Sequence, residues 1–441
     1  MARYLKQAKP VSAAQNSSQV SSIVQNVIDD IRNNGDTAVR MYSERFDKWS
    51  PASFRLSQQQ IDEAIAKVPE QTRKDIQEAQ SNVEKFARAQ LRSITEFEVE
   101  ISPGVYLGQK NLPIATVGAY IPGGNYPLLA SAHMSILTAK VAGVKRAIGC
   151  TPPIAGQMPN ATIAAMHFAG ADEIHILGGV QAVAGMAVGT ETIPKVDFLA
   201  GPGNAFVAEA KRQLFGEIGI DLFAGPTEVL IVADDAADPF AIATDLLSQA
   251  EHGVDSPAVL ITTSTTVAEQ TMQYIDKQLR SLETAAIASI SWKNFGEVIV
   301  VSDLDEAYVL ADEYAHEHVQ ILTRNPREAL EKMNYYGAIF LGEKTCVSYG
   351  DKVIGTNHVL PTKKAARYTG GLWVGKFLRT VIYQEVTSGE ASGKLGQLCG
   401  RAARAENFEG HARSGYLRAH KYLKEEYNWI KDGLSGERHN L

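Results

Sequence analysis

Ile114-Ala115-Thr116-Val117-Gly118-Ala119-Tyr120-Ile121 is the first of a series of short apolar runs that alternate with helical patterns. A run of this kind is typical of a buried strand, and the Ala-rich stretches that follow have the apolar spacing of helices. From about Asn111, strand-like runs lie at 114–121, 146–150, 173–177 and 197–199, with helical patterns at 127–142, 160–169 and 180–188. This alternation predicts βαβ units around a parallel sheet.

A second series of the same kind begins after Gly225. Strand-like runs at 228–233, 258–262, 297–301, 319–322 and 339–341 alternate with helical patterns at 239–249, 266–279, 304–314 and 326–333. We therefore predict an α/β fold with two incomplete Rossmann-like lobes, residues 111–224 and residues 225–345.

The flanking segments differ from the two lobes. Residues 1–110 have apolar positions at helical spacing and predict a helical segment, part of which packs on the second lobe. Residues 346–387 begin with a stretch rich in Gly, Thr and Asn, which predicts an irregular active-site region. Residues 388–441 predict a small helical segment, and we expect it to pack on a neighbouring subunit because it has little core of its own.

The composition excludes several classes of function. The chain has 441 residues, 45% of them hydrophobic, and a formal net charge of −7 without a run of basic residues, so no nucleic-acid partner is expected. No apolar run has the length of a membrane span, and the first residues do not resemble a signal peptide. Cys150, Cys346 and Cys399 are far apart and odd in number, which predicts a cytoplasmic protein without disulfides.

Glycine-containing turns follow three strand-like runs of the first lobe, at 122–124, 178–179 and 201–204. Glycine allows the backbone to approach a ligand closely, and a helix N-terminus favours phosphate. The dinucleotide-binding fingerprint of three spaced glycines and a later acidic residue is missing. Each turn alone is better explained as an ordinary tight turn, but the three together favour a cofactor crevice.

Two candidate metal ligands lie in Leu247-Ser248-Gln249-Ala250-Glu251-His252-Gly253, which has the pattern of a helix end closed by glycine. Gln249 and His252 are three residues apart and share a face of that helix. Zinc accepts nitrogen and oxygen donors and, when catalytic, keeps room for substrate. Each candidate also has an ordinary explanation as a cap, turn or surface residue. The further candidates in this set are Asp351, His358 and His411.

His316-Glu317-His318 directly precedes the apolar run at 319–322. At the edge of a core, desolvation and neighbouring charges can move the pKa of a histidine into the working range of a base. A base of this kind can accept the proton as hydride leaves an alcohol, and the carboxylate can activate water for a second step. A solvated polar turn is the alternative interpretation.

The motifs taken together closely resemble the histidinol dehydrogenase family over nearly the whole chain. The matching strings are YIPGG at 120–124, GGVQA at 178–182, GPGNAF at 201–206, EAKR at 209–212, AGPTE at 224–228, SQAEHG at 248–253, EH at 317–318 and GTNHVLPT at 355–362. The resemblance implies two NAD-dependent hydride transfers that convert a primary alcohol into a carboxylate. It also implies a homodimer in which a small segment is exchanged.

The resemblance further implies roles for individual residues. His318 would be the general base, and Glu317 would activate water. One Zn²⁺ per subunit would be held by Gln249, His252, Asp351 and the His411 contributed across the dimer interface. NAD would contact Tyr120, Gln181 and Asn204. The substrate would contact the zinc ligands and His318, together with Thr227, His358 and, across the interface, Glu406.

Several positions depart from the biosynthetic members of that family. Thr227 stands where a serine is usual, and the stretch at 368–373 replaces the usual pair of serines. These departures resemble the branch that oxidises a sulfopropanediol to sulfolactate, and they favour 2,3-dihydroxypropane-1-sulfonate over L-histidinol as substrate. A sulfonate requires hydrogen-bond donors and a cation. The candidate donors are His133, Asn125, Arg367 and Thr369.

Two other classes of function remain as alternatives. A non-catalytic binding protein could keep the fold, although the full set of predicted ligands and catalytic residues is present. A thiol-dependent aldehyde dehydrogenase would need a reactive cysteine, and no cysteine lies in one of the motifs.

Overall fold

The computed structural model describes residues 2–9, 14–123, 127–222 and 225–434. The chain forms two compact units. The first unit comprises the residues up to Arg92 and Pro113–Phe377, and the second comprises Ser93–Leu112 and the residues from Leu378 onward. None of the helices in the described ranges is long and apolar enough to cross a bilayer.

The strands are numbered in chain order. They are β1 Arg3–Lys6, β2 Phe97–Ser102, β3 Val105–Pro113, β4 Thr116–Tyr120, β5 Arg146–Thr151, β6 Glu173–Ile176, β7 Phe198–Ala200, β8 Gly219–Ile220, β9 Val229–Ala233, β10 Ala258–Thr262, β11 Gly296–Val300, β12 His318–Leu322, β13 Ala338–Leu341 and β14 Leu378–Val386.

The helices are numbered in the same way. They are α1 Ala14–Asp47, α2 Gln58–Ala66, α3 Glu70–Arg92, α4 Leu129–Ala132, α5 Thr138–Val141, α6 Asn160–Phe168, α7 Gly179–Val188, α8 Ala205–Leu214, α9 Pro239–Ala250, α10 Thr265–Gln278, α11 Ala285–Phe295, α12 Leu304–Tyr314, α13 Ala329–Lys332, α14 Val347–Lys352, α15 Gly389–Ala405, α16 Glu409–Leu423 and α17 Asn428–Leu434. A π-helical turn, His133–Leu137, joins α4 to α5.

The first unit contains two sheets. One has the order β6-β5-β4-β7-β8, and its neighbouring strands all run parallel. The other has the order β1-β11-β10-β9-β12-β13, in which β1 alone is antiparallel to its neighbour. The prediction of an α/β fold with two Rossmann-like lobes is confirmed.

Both faces of the six-stranded sheet are buried, as is usual for parallel sheets covered by helices. Val229 and Ile231 of β9 point into one apolar core, and Leu230 and Val232 point into the other. This alternation follows from the two-residue period of a strand and explains why β9 is a continuous apolar run in the sequence.

The N-terminal helices cover the five-stranded sheet. Helix α1 packs on α7 and α8, and its two halves are separated by non-helical Gly35, where the sequence predicts a stop and restart. Ser57 caps α2 through a capping box. Helices α2 and α3 lie on the opposite face, where Ile61 and Ile76 join the core around Ile163.

The second unit combines the sheet β14-β3-β2 with the helical hairpin α15–α16. The hairpin is close-packed because glycines face each other, and a Cβ atom at Gly396 would lie 2.3 Å from the carbonyl oxygen of Gly415. The sequence analysis predicted the helices at both ends of the chain, but it did not anticipate β1, β2, β3 and β14 or the short helix α14.

A buried ion pair fixes the turn between β7 and α8. Gly201 has φ +115°, and a Cβ atom there would meet the carbonyl oxygen of Tyr120 at 2.0 Å, so only glycine fits. Asp221 accepts a hydrogen bond from the Gly201 amide at 2.7 Å and pairs with the Lys211 ammonium, which also donates to the Gly201 carbonyl at 2.9 Å. Lys211 and Asp221 are each only 3% exposed.

Replacing Lys211 by methionine should lower the free energy of unfolding by about 3–5 kcal/mol, because a buried carboxylate would lose its partner. Denaturant or thermal unfolding followed by circular dichroism measures the change. Arg212→Met on the same helix is the matched control. It breaks an ion pair with Glu209 in which the arginine is exposed, and it should cost about 1 kcal/mol or less. Equal losses in the two variants would contradict this account.

Candidate active site

The candidate site lies at the amino edge of the six-stranded sheet. Strands β9 and β12 are neighbours in register, with His318 opposite Val229, so the preceding residues Glu228 and Glu317 are also adjacent. Helix α9 leaves the carboxyl edge after β9 and returns across the sheet, which brings Gln249 to the same edge. His252 lies two residues beyond the end of α9 at Ala250, in a turn where its amide donates to the Gln249 carbonyl, and not on the helix face that its spacing predicted. Gln249 and Asp351 of α14 meet there.

Gln249 and Asp351 form the buried floor of the site. They are 1% and 4% exposed, and the Gln249 Nε2 donates to Asp351 Oδ2 at 2.9 Å. The Gln249 Oε1 is buried and has no hydrogen-bond partner among the described residues. Burial would raise the pKa of Asp351, but the hydrogen bond and charge of His318 hold this pKa below its usual range. An unpaired buried amide oxygen next to a carboxylate is a costly arrangement without a ligand.

His318 is held in one orientation by the main chain. Its Nδ1 lies 3.1 Å from the carbonyl oxygen of Glu228, which can only accept, so Nδ1 carries a proton. In the neutral ring Nε2 is then the basic atom, and it lies 3.4 Å from Asp351 Oδ1. The tautomer and the direction of the base are therefore set by a backbone contact.

The side chain of Glu317 is also held by the backbone of Glu228. The backbone amide of Glu228 donates to Glu317 Oε2 at 3.1 Å, and Glu317 Oε2 is 3.5 Å from His318 Nδ1. Burial raises the pKa of Glu317 to about 8. Burial alone would lower the pKa of His318, but Glu317 and Asp351 raise it to about 9. A divalent cation held by Asp351 would act in the opposite direction and favour the neutral imidazole.

Glu228 was not identified from the sequence as a site residue. Its backbone contacts both predicted catalytic side chains, and its own carboxylate accepts from the Lys363 amide at 2.8 Å. Its position directly after Thr227 in a matching string was the available signal. These contacts are made by the main chain and do not depend on the type of side chain, so the sequence alone could not assign this role to Glu228.

His358 and His133 form a second layer. His358 Nδ1 lies 3.0 Å from the Asp351 carbonyl oxygen and its Nε2 lies 3.0 Å from Ser131 Oγ, so the chain itself engages both ring nitrogens. Burial lowers the pKa of His358 and of His133 to about 4. His133 Nδ1 is 2.9 Å from the amide nitrogen of Gln80. His133 is therefore a buried histidine that contacts Gln80, and its proposed contact with a sulfonate stays a prediction.

The candidate sulfonate contacts Arg367 and Thr369 have contacts within the chain, and their roles stay predictions. Arg367 is exposed, stacks on Tyr335 at 4.8 Å and donates to the Asp312 carbonyl near the end of α12 at 3.2 Å. Thr369 accepts a hydrogen bond from the Gly371 amide at 3.4 Å within its own turn. Asn125 lies outside the described residues.

His252 and Thr227 line a cleft of about 500 Å³ next to this floor. Desolvation lowers the pKa of His252, and the nearby charge of Asp351 partly offsets this effect. A neutral imidazole is the form that binds metal. The wall also includes Pro122, Asn204, Glu251, Asp255 and Lys352.

The three predicted NAD contacts line a separate, larger cavity of about 730 Å³ at the carboxyl edge of the five-stranded sheet, and these residues are Tyr120, Gln181 and Asn204. Asn204 caps α8 by accepting from the Phe206 and Val207 amides at 3.0 and 3.1 Å. It also lines the smaller cleft, so the two spaces adjoin at this residue.

The glycine turn at the start of α7 is already occupied by the chain itself. The Gly179 amide donates to the Tyr120 hydroxyl at 3.1 Å, and Asp47 accepts from the Gly178 amide and from Gln181 Nε2. The amides of Gly178 and Gly179 are therefore engaged by side chains of the chain itself. Asp47, which the sequence analysis missed, adds a carboxylate to the cavity and fixes the Gln181 amide.

Glu406 and His411 belong to the second unit. Glu406 is the C-cap of α15, and His411 is in the first turn of α16, where its ring lies 5.2 Å from that of Phe408. Both side chains are exposed in the single chain. Their predicted roles involve a partner subunit and stay predictions.

The donor set fits a zinc ion in its chemistry. Within the described ranges, no group of three or more His, Cys, Asp and Glu side chains has an arrangement suited to a metal ion. Of the four predicted ligands, Gln249 is of none of these types and His411 belongs to the second unit. The unpaired Gln249 Oε1, the Asp351 carboxylate and the imidazole of His252 are nitrogen and oxygen donors of the kind that zinc accepts.

Comparisons with known proteins agree on one family. The model of the family described as histidinol dehydrogenase matches residues 11–419. A histidinol dehydrogenase homolog from Shouchella clausii is 59% identical over 96% of this chain and 100% of its own length. Sulfopropanediol 3-dehydrogenase from Ruegeria pomeroyi is 44% identical over 96% of this chain and 97% of its own length. A crystal structure of histidinol dehydrogenase from Elizabethkingia anophelis superposes with a TM-score of 0.88 at 35% identity and covers 95% of both chains.

Proposed function

This chain belongs to the histidinol dehydrogenase family, and we propose that it is a zinc- and NAD-dependent dehydrogenase that oxidises a small polar primary alcohol to a carboxylate. The observation that carries the proposal is the buried cluster of Gln249, Asp351, His318 and Glu317, which brings together residues more than 100 positions apart. A cluster of this kind needs a chemical reason, because buried charges and unpaired polar atoms destabilise a fold.

Gln249, His252 and Asp351 would hold the zinc ion, with His411 of a second subunit as the fourth ligand. Zinc would act as a Lewis acid on the alcohol oxygen and later on the aldehyde oxygen, and NAD would accept the hydride. The chain supplies the remaining functions: it orients the alcohol, accepts the proton and positions the water.

His318 accepts the hydroxyl proton of the alcohol at Nε2 as the C–H bond breaks and hydride leaves. Its Nδ1 keeps its proton and donates it in a hydrogen bond to the carbonyl oxygen of Glu228, which stabilises the imidazolium that forms. A positioned base of this type contributes about 10²–10⁴-fold to the rate. The first step converts the alcohol into an aldehyde, one NADH and one proton.

Glu317 acts in the second step. Its carboxylate takes a proton from the water that adds to the aldehyde, and the hydrate loses a second hydride to give the carboxylic acid. Burial raises the pKa of Glu317, and a carboxylate with a raised pKa is a stronger base. One alcohol, two NAD⁺ and one water therefore give one carboxylate, two NADH and three protons.

We propose 2,3-dihydroxypropane-1-sulfonate as the substrate, which would be oxidised to sulfolactate. L-Histidinol is the alternative substrate. The relative from Ruegeria pomeroyi that is called sulfopropanediol 3-dehydrogenase supports the first candidate, and the family as a whole supports the second. The two candidates differ in charge, since the first is an anion and the second carries an ammonium group.

We also propose that the active form is a homodimer in which Glu406 and His411 cross the interface. The second unit supports this proposal because it exposes several large apolar side chains on its sheet and its hairpin, and such surfaces mark interaction sites. These side chains are Phe97, Val99, Ile101, Ile382, Leu398 and Phe408.

With the correct alcohol in limiting amount, the zinc-loaded protein should form two NADH per alcohol. The test is a panel of primary alcohols at alkaline pH that includes both enantiomers of 2,3-dihydroxypropane-1-sulfonate, L-histidinol and glycerol, with NADH followed at 340 nm. Removal of zinc by a chelator should abolish the signal, and added zinc should restore it.

Other results would support other functions. One NADH per alcohol would reject the double oxidation. Zinc and NAD binding without turnover on any alcohol would favour a non-catalytic binding protein. A rate that falls when Cys150, Cys346 and Cys399 are replaced together would favour thiol chemistry, although Cys150 is buried, with a raised pKa.

A further inference from the structure

Lys352 is the last residue of α14 and directly follows Asp351. Its side chain is exposed and forms part of the wall of the 500 Å³ cleft, together with His252 and Thr227. The ammonium group therefore shares a space with one predicted zinc ligand and is one residue from another. No role was assigned to this residue from the sequence.

The positive charge of Lys352 acts on the side chains of two histidines of the candidate site, His252 and His358. Lys352 is therefore close to both imidazoles.

Within the ranges that the structure describes, the Lys352 ammonium group has no hydrogen bond or ion pair. Of the two carboxylates of the same wall, Glu251 accepts from Thr284 Oγ1 at 2.6 Å, and Asp255 Oδ1 lies beside Gly253 in its own loop. A lysine ammonium group in this position can bind an anionic group of a substrate.

We propose that Lys352 binds the anionic end of the substrate and selects anionic primary alcohols over cationic ones. This inference rests on the proposed function and narrows its substrate class to short hydroxyalkyl sulfonates and related acids. The sulfonate of 2,3-dihydroxypropane-1-sulfonate would pair with the ammonium group while its distal hydroxyl faces His318. The ammonium group of L-histidinol would instead meet a like charge in the same cleft.

The test compares the wild-type protein with Lys352→Gln, Lys352→Arg and the matched control Lys344→Gln, an exposed lysine that lines neither cavity. Lys352→Gln should raise the KM for the sulfonate by about 10–100-fold, the range expected for a lost charged hydrogen bond, and should leave kcat within a few-fold. Lys352→Arg should restore most of the affinity. The KM for glycerol, which is uncharged, should not change.

A binding experiment gives a second readout. Calorimetric titration of the zinc-loaded protein with propane-1-sulfonate, without NAD, should show binding to the wild-type protein and to Lys344→Gln and a loss of binding in Lys352→Gln. Unchanged binding and an unchanged KM for the sulfonate in Lys352→Gln would overturn this inference while leaving the dehydrogenase intact. A wild-type protein that oxidises no alcohol but still binds propane-1-sulfonate through Lys352 would instead reject the proposed function.

Discussion

Replacing His318 by glutamine should lower kcat by about 10²–10⁴-fold, the contribution of a positioned general base. The glutamine amide can still donate to the Glu228 carbonyl, so the local fold should persist. It has no basic atom where His318 Nε2 lies 3.4 Å from Asp351, and the alcohol proton therefore has no acceptor. Steady-state kinetics with the best alcohol of the panel measures the loss.

Three controls separate a lost base from a damaged site. Zinc content by atomic absorption and NAD affinity by fluorescence should match the wild-type values, because His318 is outside both predicted ligand sets. The control variant His167→Gln changes a half-buried histidine of α6 that is distant from His318 in the sequence, and it should keep its activity. Undiminished turnover in His318→Gln would remove this residue as the base.

A mixed dimer of His411→Asn and His318→Gln should recover activity that neither variant has alone. His411→Asn should lose zinc, because an exposed ligand from the second unit would be missing from the tetrahedral set. In the mixed dimer, one site combines an intact His318 with an intact His411 from the partner. If the two variants pair at random in a two-fold symmetric dimer, about half of the dimers are mixed and each of these has one intact site. The mixture should therefore show about one quarter of the wild-type activity.

Co-expression of the two variants with different affinity tags allows purification of the mixed species. The mixed dimer should contain about half as much zinc as the wild-type dimer. Any zinc above this amount would be bound by the His318→Gln chain, whose site lacks its fourth ligand. No recovery of activity in the mixed dimer would show that His411 acts within its own chain or not at all. The same outcome would leave the base assignment of His318 untouched.

The two parallel sheets were predictable because their strands are continuous apolar runs. Strand β9 is buried on both faces and all of its side chains are apolar, whereas β12 is equally buried but includes His318 and Gln320. Strand β2 is exposed along its whole length, and only the alternation of Phe97, Val99 and Ile101 indicated it. This short alternation is a weak signal beside the helical patterns around it.

The candidate site was predictable only in part. The spacing of Gln249 and His252 indicated a shared helix face, but nothing in the sequence states that Asp351 folds against Gln249. That contact depends on α9 crossing the sheet and on the short helix α14, which has too few turns to give a periodic signal. Arg367 and His133 were candidate sulfonate contacts because of their residue types. In the fold Arg367 contacts the end of α12 and His133 contacts Gln80, and a part for either in substrate binding stays a prediction.

Strand β1 has a consequence for how the protein is handled. It covers the outer flank of β11, a strand whose residues are almost all buried, and Lys6 fastens it by donating to the Gly296 carbonyl at 2.8 Å. A shortened form that started at α1 would uncover a row of apolar residues and unpaired backbone groups. An exposed sheet edge of this kind promotes aggregation by edge-to-edge pairing between molecules. An affinity tag is therefore better placed away from β1.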